Sequence, residues 1–270
     1  MSRFFGGYAK RLVTAFAILV LVPALAFAAP VYVRSTIGPP WGENTNELAM
    51  NAIFGPGAWT QAFYETAVPA ALLNPATNAF IFMEGGDNNA NALNAFLTAN
   101  SAAIASYVSS GGRLFINAAP NEGGNINFGF GVTLNYAGDP TSADIASPLA
   151  PGNPIFVGPK VPVTTNYTGD HYAHAFLTGP LTGVVQGNPG QIVFGTLTSG
   201  SGLVGLGGMT TTNFHSPNPQ AANLRANMIA LISGASGDFS VPTLQPISLA
   251  VLAGALALLA LVAFRMRRGS

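Results

Sequence analysis

Few residues of this chain could do chemistry. Its 270 residues include three histidines, His171, His174 and His215, and no cysteine. Disulfides, thiolate catalysis and cysteine-ligated metal or iron–sulfur centres are therefore excluded. His171 and His174 lie in the run Asp170-His171-Tyr172-Ala173-His174. Two imidazoles three residues apart, joined by Asp170 or His215, form a candidate metal-ligand set. The spacing differs from the i, i+4 histidine pair of zinc-protease helices. Gly169 before the run and Phe176-Leu177-Thr178-Gly179-Pro180 after it predict a strand or turn, in which i and i+3 point apart.

A second group forms around Glu84-Gly85-Gly86-Asp87, directly after the apolar run Ala79–Met83. Carboxylates at the carboxyl end of a buried strand stand where open α/β sheets bind ligands. Asn117, closing the next apolar run, would lie beside them. Glu84, Asp87, Asn117 and His215 are thus the candidate binding residues. A structural alternative exists: Asp87 would cap the following helix and Glu84 would bond the glycine turn. No G-x-S-x-G stands at a strand-to-helix junction, so a serine nucleophile is not indicated. The glycines at 200–208 read as turns between strands. No catalytic residue and no cofactor is predicted.

The elements that must position these residues follow from hydrophobic period. Val31–Arg34, Ala79–Met83 and Arg113–Asn117 predict strands; Glu43–Phe54 predicts a helix. A long helix is predicted by the stripe Leu93, Phe96, Leu97, Ile104, Tyr107 and Val108, stopped by Gly111-Gly112. Strands alternating with helices imply parallel β-α-β units in an open sheet. Residues 118–170, rich in Gly, Asn and Pro, read as a loop-rich insertion. Val184-Val185, Gln191–Gly195 and Leu203–Leu206 predict later strands. A last helix follows Asn218-Pro219, with Ala221, Leu224, Met228, Leu231 and Ile232 as its buried stripe.

The two ends differ from this body. Residues 1–28 carry Arg3, Lys10 and Arg11, then an apolar stretch from Leu12 to Ala24, then Ala26-Phe27-Ala28. That is the order of a secretory signal peptide with an A-x-A cleavage site, implying signal peptidase as a partner. Residues 234–246 read as a linker and processing motif. Residues 247–264 are eighteen uncharged residues, about 27 Å as a helix, enough to span a hydrocarbon core. Arg265, Arg267 and Arg268 in the tail 265–270 would stay cytoplasmic. The body, 29–233, is then expected outside, as an exported surface domain.

Charge agrees with that placement. Charged residues are 7% of the chain, against about 25% in a typical soluble domain. Between residues 29 and 246, the four basic residues Arg34, Arg113, Lys160 and Arg225 face all ten acidic ones, a net charge of −6. Such a body offers no basic patch for nucleic acid.

Two resemblances add to this reading. Val241-Pro242-Thr243-Leu244-Gln245, the apolar segment and the Arg cluster together resemble the IPTL-type C-terminal sorting signals of Gram-negative bacteria, related to the PEP-type signals read by exosortases. That likeness implies an exosortase-like processing enzyme acting near Val241–Leu244, and release to the cell surface or the extracellular matrix. The segment from Ala79 to Asn117, and the stretch from Gly205 through Pro217 with its helix, resemble the glutamine-amidotransferase-like branch of flavodoxin-like folds. The likeness implies an open, mostly parallel α/β sheet flanked by helices. Amidotransferases use a cysteine nucleophile on the strand-to-helix turn, and Glu84-Gly85-Gly86-Asp87 has none.

The expected protein is therefore an exported, non-catalytic surface domain for binding or structure, with one C-terminal transmembrane helix. The alternative is a secreted metal-assisted hydrolase using His171, His174 and His215 with Glu84.

Overall fold

The computed structural model describes residues 28–235 apart from 123, 137–144, 162 and 170. The first half alternates strand and helix. Strand β1 (Pro30–Arg34) leads through helix α1 (Thr45–Phe54) to β2 (Thr60–Phe63), and helix α2 (Pro69–Leu72) precedes β3 (Phe80–Glu84). Helix α3 (Ala90–Ser109) then returns the chain to β4 (Arg113–Asn117). These strands pair in parallel in the order β4-β3-β1-β2.

Beyond β4 the pattern changes. Nine strands follow: β5 (Ile126–Gly129), β6 (Val132–Tyr136), β7 (Ile145–Pro148), β8 (Tyr167–Gly169), β9 (Ala175–Thr178), β10 (Thr182–Gln186), β11 (Ile192–Ser199), β12 (Gly202–Gly207) and β13 (His215–Ser216). All but one of their mutual and outward pairings are antiparallel. The exception is β12, which comes back beside β4 in parallel register, Leu206 opposite Ile116. Helix α4 (Gln220–Ser233) closes the described chain.

The expected open, mostly parallel, flavodoxin-like or amidotransferase-like sheet is therefore corrected. Among the described residues the sheet has 13 strands in the order β13-β8-β7-β10-β11-β12-β4-β3-β1-β2, with β5, β6 and β9 branching from β11. Four strand pairs are parallel and eight antiparallel. The physical reason lies in the connections. Parallel neighbours need a crossover, usually a helix, whereas antiparallel neighbours need only a tight turn. No α-helix is described between Ser109 and Gln220, and Gly200, at φ 58°, turns β11 into β12 within two residues. Residues 118–170, read as loop-rich, contain β5 to β8, each three to five residues long.

The expected transmembrane helix is likewise without a counterpart here. Among the described residues no helix is long and apolar enough to cross a membrane. Residues 1–27 of the leader, the 241–244 motif and the apolar segment 247–264 lie outside the described residues.

Alternation along the parallel strands sends side chains to two cores. Val31, Val33, Ile81, Met83, Leu114 and Ile116 face α3, where Leu93, Phe96, Leu97, Ile104 and Val108 cover them. Tyr32, Phe80, Phe82 and Phe115 face the other way, toward Met50 and Ile53 of α1 and Met228, Ile229 and Ile232 of α4. Phe82 stacks on Phe115 at 4.6 Å and 16°. The predicted stripe of α3 is its buried face. Gly85 allows α3 to approach β3, because a Cβ there would overlap Leu93.

Candidate functional site

The carboxyl ends of β1, β3 and β4 carry two layers of polar residues, one buried and one at the surface. The buried layer starts at Glu84. It is the fifth residue of β3 and shares a face with Phe80 and Phe82, so its side chain enters the α1/α4 core, where it is 1% exposed. One carboxylate oxygen accepts the Gly86 N–H, the other the Asn46 amide, and Tyr64 donates to the Glu84 carbonyl at 3.0 Å. Asn46 is fully buried. Its amide oxygen accepts from Arg225 at 3.3 Å, so it stands between a carboxylate and a guanidinium. Arg225 donates further to the Thr210 carbonyl at 2.8 Å.

Charge balance follows from this chain of contacts. Burial raises the Glu84 pKa to about 7, opposed by the Arg225 charge and by the Gly86 and Asn46 donors. Burial lowers the Arg225 pKa, opposed by Glu84. Desolvation disfavours the charged form of each group, and the opposite charge nearby offsets part of that shift.

His215 belongs to the same layer. Its Nε2 lies 2.8 Å from Thr210 Oγ1 and 3.1 Å from the Tyr172 carbonyl, and its ring stacks on Tyr172 at 4.0 Å. The Thr210 hydroxyl has the His171 carbonyl at 2.8 Å as its acceptor. Carbonyls only accept, so the network assigns the proton to Nε2. Burial, and then Arg225, push the His215 pKa down to about 3. This imidazole is neutral and spent on its neighbours.

The surface layer is a crown of Trp41, Asp87, His171 and His174. Asp87 does not cap α3. The helix begins at Ala90 after Asn89, with no side-chain cap. The Asp87 carboxylate instead accepts the Trp41 backbone N–H at 3.0 Å and the Asn121 amide at 2.7 Å. Trp41 meets His174 and Phe214 edge-on, at 5.6 and 5.4 Å and nearly perpendicular to both. His174 Nδ1 lies 3.0 Å from the Pro120 carbonyl.

Three of these four residues, Trp41 (φ 52°), Asp87 (φ 50°) and His171 (φ 58°), hold a left-handed backbone. That conformation is uncommon outside glycine and costs on the order of 1 kcal/mol or more per residue. The turn at His171 also brings its ring to 5.6 Å from His174, where an extended segment would have turned the two apart.

The two layers touch at Gly86. A Cβ there would lie 2.8 Å from Glu84 Oε1 and 3.2 Å from the Trp41 ring. Trp41 thus roofs the buried carboxyl.

The candidate residues sort accordingly. Asp87, His171 and His174 meet in the crown, and Glu84 and His215 lie beneath it. Asn117 is 1% exposed and bonds both backbone groups of Met209, at 2.8 and 3.2 Å. Among the described residues no group of three or more His, Asp or Glu side chains could hold a metal ion; Asp170 lies outside them.

The sequence reading missed Trp41, Asn46, Thr210 and Arg225. Two of them carried a signal. Asn46 is spaced i, i+4, i+7 with Met50 and Ile53 on the buried side of α1, and Arg225 repeats that spacing with Ile229 and Ile232 on α4. A polar residue on an apolar stripe marks a buried polar contact.

No family model and no curated protein matches the chain. Among solved structures, the cold-adapted β-galactosidase from Rahnella sp. R3 is similar over 77% of this chain and 32% of its own, at 11% identity and a TM-score of 0.46. A cytoplasmic protein from Salmonella typhimurium LT2 is similar over 76% of this chain and 99% of its own, at 13% identity and a TM-score of 0.42. The exo-β-1,4-mannosidase from Opitutaceae bacterium strain TAV5 is similar over 85% of this chain and 38% of its own, at 14% identity and a TM-score of 0.42. The chain spans about a third of the length of the two glycosidases. At TM-scores below 0.5 these likenesses carry no argument for fold or activity.

Proposed function

We propose that this chain is an exported bacterial surface protein whose body is a non-catalytic binding domain, with the crown as its contact site. One observation carries the binding reading. Two non-glycine residues in a strained backbone conformation, Trp41 and Asp87, are joined by a hydrogen bond beside the carboxyl ends of parallel strands, and a third, His171, reaches Trp41 through the ring of His174. Backbone strain persists only where the surroundings impose it, and it concentrates at ligand clamps and active sites.

A binding role fits better than the hydrolytic one, because two of the four groups that hydrolysis would use, Glu84 and His215, lie in the buried layer, apart from His171 and His174 in the crown. Glu84 is sealed below Gly86 and Trp41, and the Nε2 of His215 is engaged by Thr210 and Tyr172. Export and sorting rest on the signal-like leader and on the resemblance of residues 241–268 to a sorting signal. Signal peptidase and an exosortase-like enzyme would then be the processing partners.

Two measurements test the reading. Mass spectrometry of the envelope-associated protein should find Ala29 as the first residue; an intact Met1–Ala28 overturns export by this leader. Purified 29–235 should be retained by the producing cells' surface material, and Trp41→Gly should release it. Glycine accepts the left-handed backbone and keeps the N–H that Asp87 accepts. Equal retention of a folded Trp41→Gly protein overturns the crown as the contact site.

A further inference from the structure

The chemistry of the crown narrows its ligand, and this inference rests on the reading just given. Trp41 and Phe214 are each partly exposed, and Asn88, Asn121 and His171 are exposed around them. The indole cannot swing freely. Its backbone N–H is held by Asp87, and the rings of His174 and Phe214 stand perpendicular to it. A rigid aromatic platform loses little entropy on binding.

Asp87 is oriented in the same way. One carboxylate oxygen accepts from Asn121, the other from Trp41 and Asn88. An ionised carboxylate has about four acceptor sites, so lone pairs remain after three donors. The crown thus combines aromatic rings with a fixed acceptor and with amides that both donate and accept.

The chain's charges argue against the other ligand classes. A phosphate or carboxylate ligand calls for the guanidinium fork. Arg34 is committed to Glu47 and Phe63, Arg113 to the Ile232 carbonyl, and Arg225 is buried with Asn46 and Thr210. A carboxylate at the centre of the crown, in a stretch (residues 29–246) of net charge −6, repels anions further. For a metal cation, no group of three or more His, Asp or Glu side chains that could hold one stands among the described residues.

We propose that the crown binds a neutral oligosaccharide. The C–H face of a pyranose ring lies against the Trp41 indole, since an aromatic face is electron-rich and attracts polarised hydrogens. Hydroxyls of the same ring donate to Asp87 and exchange hydrogen bonds with the Asn88 and Asn121 amides. A hydroxyl is donor and acceptor at once, which suits this mixture of groups.

The test uses the full chain with Trp59→Phe, so that Trp41 is its one tryptophan. Cellohexaose, maltohexaose and mannohexaose are titrated by fluorescence and calorimetry, beside hexagalacturonate and chitosan hexaose as charged counterparts. At least one neutral hexaose should bind saturably, with an affinity that added salt does not change. Trp41→Gly should weaken that binding about tenfold or more, and Asn121→Ala about two- to tenfold, the range of one hydrogen bond. Circular dichroism and melting curves verify that each variant is folded.

If only a charged hexaose binds, and Trp41→Gly abolishes it, the neutral-saccharide inference is overturned and the crown remains the binding site. If a neutral hexaose binds equally well to both folded variants, the crown itself is overturned as the site. If no hexaose binds while surface material still retains the protein through Trp41, the saccharide inference alone falls.

Discussion

The two faces of the parallel strands solve the same packing problem by different means. The face under α3 is almost wholly apolar, with Val, Ile, Leu and Met from four strands against Leu, Phe and Ile of one helix. The face under α1 and α4 holds stacked aromatics, and through them runs the chain Glu84–Asn46–Arg225–Thr210. An apolar face gains roughly 25 cal/mol for each Å² removed from water and asks only for complementary volume. A buried polar chain gains little net energy, but each member fails badly without its partner. The α3 face therefore supplies bulk stability. The α1/α4 face fixes how two helices and the 210–215 segment dock, and it lies directly beneath the crown.

The largest break in this comparison is expected from Arg225→Met. It leaves the Glu84 carboxyl buried without its counter-charge and should cost about 3–5 kcal/mol in urea unfolding at pH 8. Adding Glu84→Gln to the same protein should recover most of that loss, because the double variant has no buried charge. A loss below about 1 kcal/mol for Arg225→Met would mean that the polar chain does not hold this face together. Asn46→Ala should cost about 1–3 kcal/mol, the penalty of stranding a buried donor and acceptor, and the loss should shrink when Glu84 is already Gln.

On the α3 face a single methylene is the right probe. Ile116→Val should cost about 0.5–1.5 kcal/mol and should add simply to Asn46→Ala, since the two lie on opposite sides of the sheet. Strong non-additivity would show that the two faces are coupled.

In the wild type the smallest effect is on the pH profile, where two shifts oppose each other. Glu84 is raised from 4.5 to about 7, so the folded state holds a proton that the unfolded chain has released, and stability falls as pH rises through that window. His215 is lowered from 6.5 to about 3, so the unfolded chain holds the extra proton, and stability rises with pH between those values. Between pH 4.5 and 6.5 the slopes cancel and the wild type should be nearly flat. Glu84→Gln should uncover the rising slope of His215 there. An unchanged flat profile in that variant would remove the buried pair as the cause.

Much of the first half was legible in the sequence. The period of residues 93–108 named the buried face of α3, and the apolar runs named β1, β3 and β4, because side-chain direction follows local period. Residues 118–170 were not legible as strands. Runs of three to five residues among Gly and Asn carry too little alternation to declare themselves, and they are strands here because neighbours supply their hydrogen bonds.

For the site the division is similar. The sequence by itself determined that Glu84 and Asp87 stand at the end of a buried strand, since both follow directly on its apolar run. It also removed cysteine chemistry outright. Only the tertiary structure decided that Glu84 turns inward to Asn46 and Arg225 while Asp87 turns outward to Trp41. Those partners are 38, 141 and 46 positions away, respectively. Contacts of that range depend on how α1, α4 and the Pro39–Gly42 turn pack over the strand ends, and no local pattern of residues encodes that packing.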